Sequence, residues 1–126
     1  MDNDRSAKII IGGEEYPLIL TTRATKLIGE RYGGLEHLGA KLMQAENFSL
    51  ALAEINWLIV LLANQAILRH NYMNKDNPKD ELTEDFVELF TSPHELSEYK
   101  SAITEAMFKG TKRNIESEET KNHQAG

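Results

Sequence analysis

The sequence contains no cysteine, only three prolines, a single tryptophan and fewer basic than acidic residues. Without cysteine the chain has no disulfide framework and no thiolate chemistry, a composition that fits a reducing cytosol. The 20 acids outnumber the 14 lysines and arginines, and the resulting net charge of -6 opposes binding to nucleic acid and to anionic membranes. We therefore expect a cytoplasmic protein that binds neither nucleic acid nor membrane.

Long apolar runs are also missing. The most apolar stretch is residues 57–63, whereas about 20 apolar residues are needed to span a bilayer. The N-terminal MDNDRSAK lacks the apolar core of a signal peptide. A length of 126 residues fits one domain. We predict a flexible lead at 1–7, a single compact domain at 8–110, and a polar tail at 111–126 that is disordered or a frayed helical extension.

The sequence lacks the known motifs for catalysis, phosphate binding and metal binding. The sequence has no GxGxxG or Gly-Lys-Ser/Thr phosphate loop, and no nucleophile–base–acid set can be placed. The stretch His94-Glu95-Leu96-Ser97-Glu98 begins like a zinc-protease helix, but Glu98 stands where the second histidine ligand is required. The loop after Asp76 has Pro78 and Glu81 where a calcium loop needs an oxygen ligand and a glycine. We predict no enzymatic activity, no metal and no cofactor.

Two charged segments are candidate binding sites. Arg23, Lys26 and Arg31 share a predicted helix, but they alternate with an apolar stripe as on any solvated helix face. The segment 80–98 holds seven acids and no lysine or arginine. A solvated face with acids near helix N-termini explains most of it. A site for a basic partner is the open alternative.

The strand signal is confined to the N-terminus. Residues 8–11 and 16–20 are two apolar runs separated by Gly12-Gly13, which supplies turn chemistry. The two-residue period places Ile9 and Ile11 on one face with the apolar residues of the second run. Because Pro17 lacks an N–H, it must lie on an unpaired edge. The pattern predicts a hairpin with one apolar face packed on helices or, in its first strand, paired with a neighbouring subunit.

Helical periodicity dominates the rest. Thr21 or Thr22 begins a first helix that ends at Gly33-Gly34. A second short amphipathic helix follows it. Thr83 begins a short fourth helix, and the capping box Ser92-Pro93-His94-Glu95 begins a fifth that Gly110 ends. The stripe of the second helix is Leu35, Leu38, Leu42 and Met43. The fold class is therefore mainly α (α+β), a hairpin on a bundle of about five helices.

The long third helix, at residues 50–73, is the predicted centre of the bundle. One apolar stripe ends in a charge and contains Leu52, Ile55, Ile59, Leu62, Ala66 and Arg69. A second stripe on another side contains Leu50, Trp57, Leu61, Asn64 and Leu68. A helix that is apolar on two sides is either central or keeps one face for a partner. Trp57 fits a core or an interface, and we predict that Trp57, Leu61 and Leu68 form a contact surface.

Nearly the whole chain, about residues 8–120, resembles the tail assembly chaperones of long-tailed phages and prophages of Gram-positive bacteria. The resemblance lies in the order of features: strand, glycine turn, a strand ending in Leu-Thr-Thr, a helix ending near Tyr-Gly, and a late Gly-x-Lys-Arg. Three segments carry it: KIIIGGEEYPLILTTRATKLIGERYGGLEHL, INWLIVLLANQAILRH and ELTEDFVELFTSPHELSEYKSAITEAMFKGTKRNIESEE.

The resemblance implies a non-enzymatic role in the host bacterial cytoplasm. Such chaperones coat the apolar, helical tape-measure protein before tail-tube subunits polymerise around it, and they are absent from the mature virion. A frameshifted longer product, which would contact the tail-tube protein, and a homo-oligomer are further implications. The alternatives are a structural phage neck or connector protein retained in the particle, and a small bacterial regulatory domain.

Overall fold

The computed structural model describes residues 7–34, 37 and 48–125, with the backbone alone at 48–50 and 110–125. A two-stranded antiparallel hairpin precedes four helices in this part of the chain. The strands are β1 (Ala7–Ile11) and β2 (Glu14–Leu18). The helices are α1 (Thr22–Tyr32), α2 (Phe48–Met73), α3 (Glu84–Phe90) and α4 (Pro93–Ala125). The predicted α+β class, mainly helical with an N-terminal hairpin, is confirmed.

The hairpin register follows from its turn. Gly12 and Gly13 have φ angles of 59° and 85°, the left-handed conformation that a tight two-residue hairpin loop requires. Ile11 therefore pairs with Glu14, and Lys8 pairs with Pro17. Alternate pairs of an antiparallel ladder exchange no hydrogen bonds. The nitrogen of Pro17, which has no hydrogen, thus points away from β1, as predicted.

Replacing Gly12 with alanine is expected to lower the free energy of unfolding by about 1–2 kcal/mol. Alanine at this position would have to keep a positive φ, and its Cβ would lie 3.2 Å from Cζ of Phe86. The matched control is Gly29→Ala in α1, where a Cβ meets nothing within 4 Å and raises stability by up to about 1 kcal/mol. Urea denaturation measures both; equal effects of the two variants would contradict the described turn.

One face of the hairpin and one face of each helix form a single core. Leu18, Ile28, Leu58 and Ile103 are fully buried although they come from four different elements. The hairpin packs on α2 and α4, and the Ile19 N–H donates to the Leu62 carbonyl at 3.2 Å. The buried apolar residues are Ala7, Ile9, Ile11, Leu18, Ala24, Ile28, Ile55, Leu58, Ile59, Leu62, Ala63, Leu82, Val87, Leu96, Ile103 and Ala106. A two-stranded hairpin is marginal alone, so this packing holds it.

Local capping signals set both ends of α1 and the starts of α3 and α4 as predicted. The Thr21 hydroxyl accepts the Ala24 N–H at 3.1 Å, and Gly33 ends α1 in the left-handed conformation. The Thr83 hydroxyl caps α3 in the same way. At the start of α4 the Ser92 N–H donates to the Glu95 carboxylate at 2.8 Å, and the Glu95 N–H donates back to the Ser92 hydroxyl at 3.2 Å. This reciprocal pair is the predicted capping box.

The central helix α2 combines an apolar face with buried amides. By length and composition alone, Ala51–Met73 could cross a bilayer. In the fold, Asn56, Asn64 and Gln65 are buried on it, and each side-chain amide donates to a backbone carbonyl. Its apolar face packs against the hairpin, α3 and α4. These are the properties of a core helix with specific polar contacts.

Some predicted element boundaries differ from the structure. β1 begins at Ala7 rather than at residue 8, and β2 spans Glu14–Leu18 rather than residues 16–20. Gly110 does not end α4, because the backbone stays helical to Ala125. A single glycine costs a helix only about 1 kcal/mol, and no proline follows it. The predicted helix with Leu35, Leu38, Leu42 and Met43 lies outside the described residues.

Candidate functional site

The predicted contact residues Trp57, Leu61 and Leu68 lie on one side of α2. Successive residues of a helix are about 100° apart, which places all three within about 40° of one another around the axis. Each is half-buried. Trp57 and Leu61 pack against the core, whereas Leu68 is not among the residues of that cluster. We call these three residues the α2 contact face; their role in binding stays a prediction.

Trp57 is held by the end of α1. The Arg31 guanidinium lies over the indole, 4.3 Å from the ring centroid, and the Tyr32 ring meets the indole edge-on at 6.0 Å between centroids. Arg31 also pairs with Glu54 at 3.3 Å. A cation over the face of a tryptophan is favourable and covers apolar surface with a charge. This arrangement keeps a half-exposed indole compatible with water.

The Tyr32 hydroxyl donates a hydrogen bond to the Glu54 carboxylate. Burial, reinforced by this bond and the negative charge of Glu54, raises the pKa of Tyr32 to about 12. The phenol is therefore protonated at neutral pH and acts as a fixed donor, with no role as a base. The α1 end of the α2 contact face is thus a rigid polar and aromatic cluster of Arg31, Tyr32, Glu54 and Trp57.

A concave surface lies elsewhere on α2. It is an open groove of about 880 Å³ between β2 and the segment 78–83 that leads into α3. Its floor is formed by Ala63, Ala66, Ile67 and His70 of α2. The remaining lining residues are Glu14, Glu15, Tyr16, Pro17, Pro78, Lys79, Asp80, Glu81, Leu82, Thr83 and Phe86. We call this the β2 groove.

Two asparagines of α2 build one wall of the groove. The Asn64 side chain donates to the Leu82 carbonyl at 3.0 Å and accepts the Leu82 N–H at 2.7 Å. The Asn71 side chain makes the same pair of bonds with Lys79, at 3.0 and 2.8 Å. Each side-chain amide satisfies both the N–H and the C=O of one residue, as a neighbouring strand would. These two pairs of hydrogen bonds, which we call the Asn64 and Asn71 forks, hold the segment 79–82 against the helix.

The spacing of these forks explains why the segment is extended. Asn64 and Asn71 lie seven residues apart, on the same side of α2 and separated by about 10.5 Å along its axis. Lys79 and Leu82 are three residues apart, which is about 10 Å in an extended chain. The two distances match, so both forks close only when the backbone between Lys79 and Leu82 is extended.

The α2 contact face and the β2 groove lie on opposite sides of the helix. Ala66 in the groove floor and Leu68 on the contact face are about 160° apart around α2. The segment held by Asn64 and Asn71 runs between the two surfaces. Asn64 belongs to the predicted second stripe, but it is buried and its side-chain amide binds both backbone groups of Leu82. It is therefore excluded from the contact face.

Sequence reasoning missed the groove and the fork of Asn71. The available signal was a pair of asparagines seven residues apart on an otherwise apolar helix, followed by a proline-containing loop. The stretch 94–98, which begins like a zinc-protease helix, makes structural contacts. Nε2 of His94 lies 3.2 Å from the Glu98 carboxylate, and Glu95 caps the helix. Among the residues that the structure describes, no cluster of three histidine or acidic side chains could hold a metal ion.

No protein-family description, curated protein or solved structure matches this chain.

Proposed function

We propose that the protein is a non-enzymatic phage tail assembly chaperone that binds an unassembled tape-measure protein in the host bacterial cytoplasm. The observation that carries the proposal is the order of sequence features along residues 8–120, from the Gly12-Gly13 hairpin to the late Gly-x-Lys-Arg. In this proposal the chaperone assists tail-tube assembly, leaves before the virion matures and acts as a homo-oligomer. A frameshifted longer product would bring the tail-tube protein to the complex.

The α2 contact face is the surface that supports binding of an apolar helix. Trp57, Leu61 and Leu68 are aligned along α2 and are only half-buried, so apolar area stays available to a partner. Tryptophan and leucine lined up at helical spacing are typical of a helix-in-groove contact. The net charge of -6 favours solubility while an apolar partner is bound. A holdase needs both properties.

The proposal also includes a bundle of about five helices. The additional helix is the one predicted with Leu35, Leu38, Leu42 and Met43, between α1 and α2. Its apolar residues would add to the apolar surface available to the partner.

Replacing Leu61 with aspartate is expected to weaken capture of the tape-measure protein at least about tenfold and to reduce any oligomer. The carboxylate places a charge in the middle of the α2 contact face. The measurement is pull-down of co-expressed tape-measure protein with size-exclusion chromatography of the chaperone alone. Leu68→Asp is the companion variant, because Leu68 lies outside the core cluster and its substitution is expected to leave the fold intact.

The matched control for charge is Ser101→Asp, which adds one carboxylate at an exposed position of α4. Circular dichroism establishes that each variant is folded. If folded Leu61→Asp and Leu68→Asp capture as much tape-measure protein as the control and keep the same oligomer, the contact face is not the binding surface.

The neck or connector alternative predicts a different location of the protein. A chaperone is absent from finished particles, whereas a connector is an abundant component of them. Mass spectrometry of purified virions separates the two, and abundant copies in mature tails would contradict the chaperone proposal. Salt-dependent binding of DNA, or retention of a nucleotide, would instead favour the regulatory-domain alternative.

A further inference from the structure

The two strands of the hairpin have different outer edges. In β1, the Ile10 carbonyl points away from β2 and accepts the Tyr99 hydroxyl of α4 at 2.7 Å. In β2, the paired residue Glu15 likewise points its N–H and C=O away from β1, because the Ile10–Glu15 pair exchanges no ladder hydrogen bonds. Within the described residues no further strand pairs with β2. That edge borders the β2 groove.

Hydrogen bonds within the chain hold both walls of the groove. The forks of Asn64 and Asn71 fix its outer wall, and the backbone bond from Ile19 to Leu62 fixes β2 against α2. An occupant therefore binds between two extended backbones, β2 and the segment 79–82, without reorganising either wall. Preformed walls lower the entropic cost of binding.

The charges along the β2 groove indicate which kind of segment it would bind. Glu14, Glu15, Asp80 and Glu81 line the two walls, whereas Lys79 is the only lysine or arginine among the lining residues. Glu15 lies 4.0 Å from Lys8, which leaves the other carboxylates of the walls in excess over Lys79. The floor between them is apolar at Ala63, Ala66 and Ile67. A negative rim over an apolar floor attracts a segment with cationic side chains at its borders.

Pro17 limits the length of the pairing. Its carbonyl can accept a hydrogen bond on the outer edge of β2, but its nitrogen cannot donate one. A strand added to β2 therefore pairs with both groups of Glu15 and with the Pro17 carbonyl, and pairing stops there. A proline on an open edge also prevents unlimited stacking of strands from other molecules.

We propose that the β2 groove binds a short extended segment of a partner protein, added as a strand to the outer edge of β2. The segment carries lysine or arginine toward the acidic walls and small or aliphatic side chains toward Ala66 and Ile67. About five residues fill it, since a strand of that length matches β2. The site is separate from the α2 contact face and does not depend on the proposed function.

The test uses the full-length protein and a blocked hexapeptide that alternates valine with lysine. Titration followed by amide NMR is expected to shift the signals of Glu15, Ala66 and Glu81, with an affinity that falls as salt increases. A peptide with glutamate in place of lysine is expected not to bind. A version N-methylated throughout is expected to bind about tenfold more weakly, because it cannot donate to the carbonyls of Glu15 and Pro17.

Two pairs of variants locate the site. Ala66→Phe fills the floor and is expected to abolish peptide binding, whereas Ala53→Phe, at an exposed position elsewhere on α2, leaves it unchanged. Glu81→Lys reverses a charge on the wall and is expected to weaken binding about tenfold, whereas Glu88→Lys on the exposed side of α3 has a much smaller effect. Leu61→Asp is expected to leave peptide binding intact.

Several outcomes would overturn the proposal. Binding that survives both Ala66→Phe and N-methylation would mean non-specific attraction to an acidic surface. Tighter binding of a helical peptide of the same charge would mean that the groove takes a helix. A change of oligomer size in Ala66→Phe, without peptide binding to the original chain, would make a second copy of this chain the occupant.

Discussion

Asn64→Ala is expected to lower the free energy of unfolding by about 2–4 kcal/mol. The substitution removes both hydrogen bonds to Leu82, at 3.0 and 2.7 Å, and leaves the N–H and C=O of that residue without partners. Leu82 is only 6% exposed, so water cannot easily replace the lost bonds. Each buried backbone group left unsatisfied costs about 1–3 kcal/mol. Urea denaturation with a linear extrapolation gives the value.

Asn71→Ala is the matched control, because the same fork there holds Lys79, which is exposed to solvent. Water can satisfy the backbone of Lys79, so the loss is expected to stay below about 1 kcal/mol. Amide NMR of the segment 79–82 shows whether the wall of the β2 groove has detached. Equal destabilisation by the two variants would contradict the idea that burial of Leu82 makes the Asn64 fork the stronger anchor.

Ile103→Ala is expected to lower the free energy of unfolding by about 3 kcal/mol. Ile103 is 0% exposed and lies where α4 packs on the core. Truncation removes apolar contacts and leaves a cavity that rigid neighbouring elements can only partly close. The adjacent Thr104→Ala is the control, because that position is exposed and its substitution is expected to change stability by less than about 0.5 kcal/mol.

Ile103→Ala also tests whether α4 packs on the core as described. The helix α4 packs on both α2 and β1, and its Tyr99 hydroxyl closes the outer edge of β1. Loss of α4 packing would therefore open that edge as well. If Ile103→Ala unfolds in the same urea concentration as the original protein, α4 does not belong to the core in solution and the described packing is wrong.

In our two proposals, the two surfaces of α2 have separable binding functions. The α2 contact face presents Trp57 under the Arg31 guanidinium, and it suits an apolar helix. The β2 groove presents an open strand edge between acidic walls, and it suits a basic extended segment. The matched variants Leu61→Asp and Ala66→Phe are each expected to affect one surface only, because Leu61 and Ala66 lie on opposite sides of one helix.

Local signals made much of the fold predictable from the sequence. Caps such as Thr21 and the Ser92–Glu95 box act within one helical turn, so residue type and spacing determine them. The same is true of the hairpin, in which Gly12-Gly13 fixes the register and the two-residue period fixes the buried face. The end of α4 was predicted wrongly at Gly110, because a glycine lowers helix stability without forbidding a helix.

Contacts between distant parts of the chain were decided only by the tertiary structure. The sequence determined that α2 is apolar on two sides and contains asparagines, and it identified Trp57, Leu61 and Leu68 as an aligned set. It could not determine that Asn64 serves a loop backbone eighteen residues later, or that Arg31 covers Trp57. Those pairings depend on how α1 and the segment 79–82 are placed against α2, since a side chain's partner is set by the elements that reach it in space.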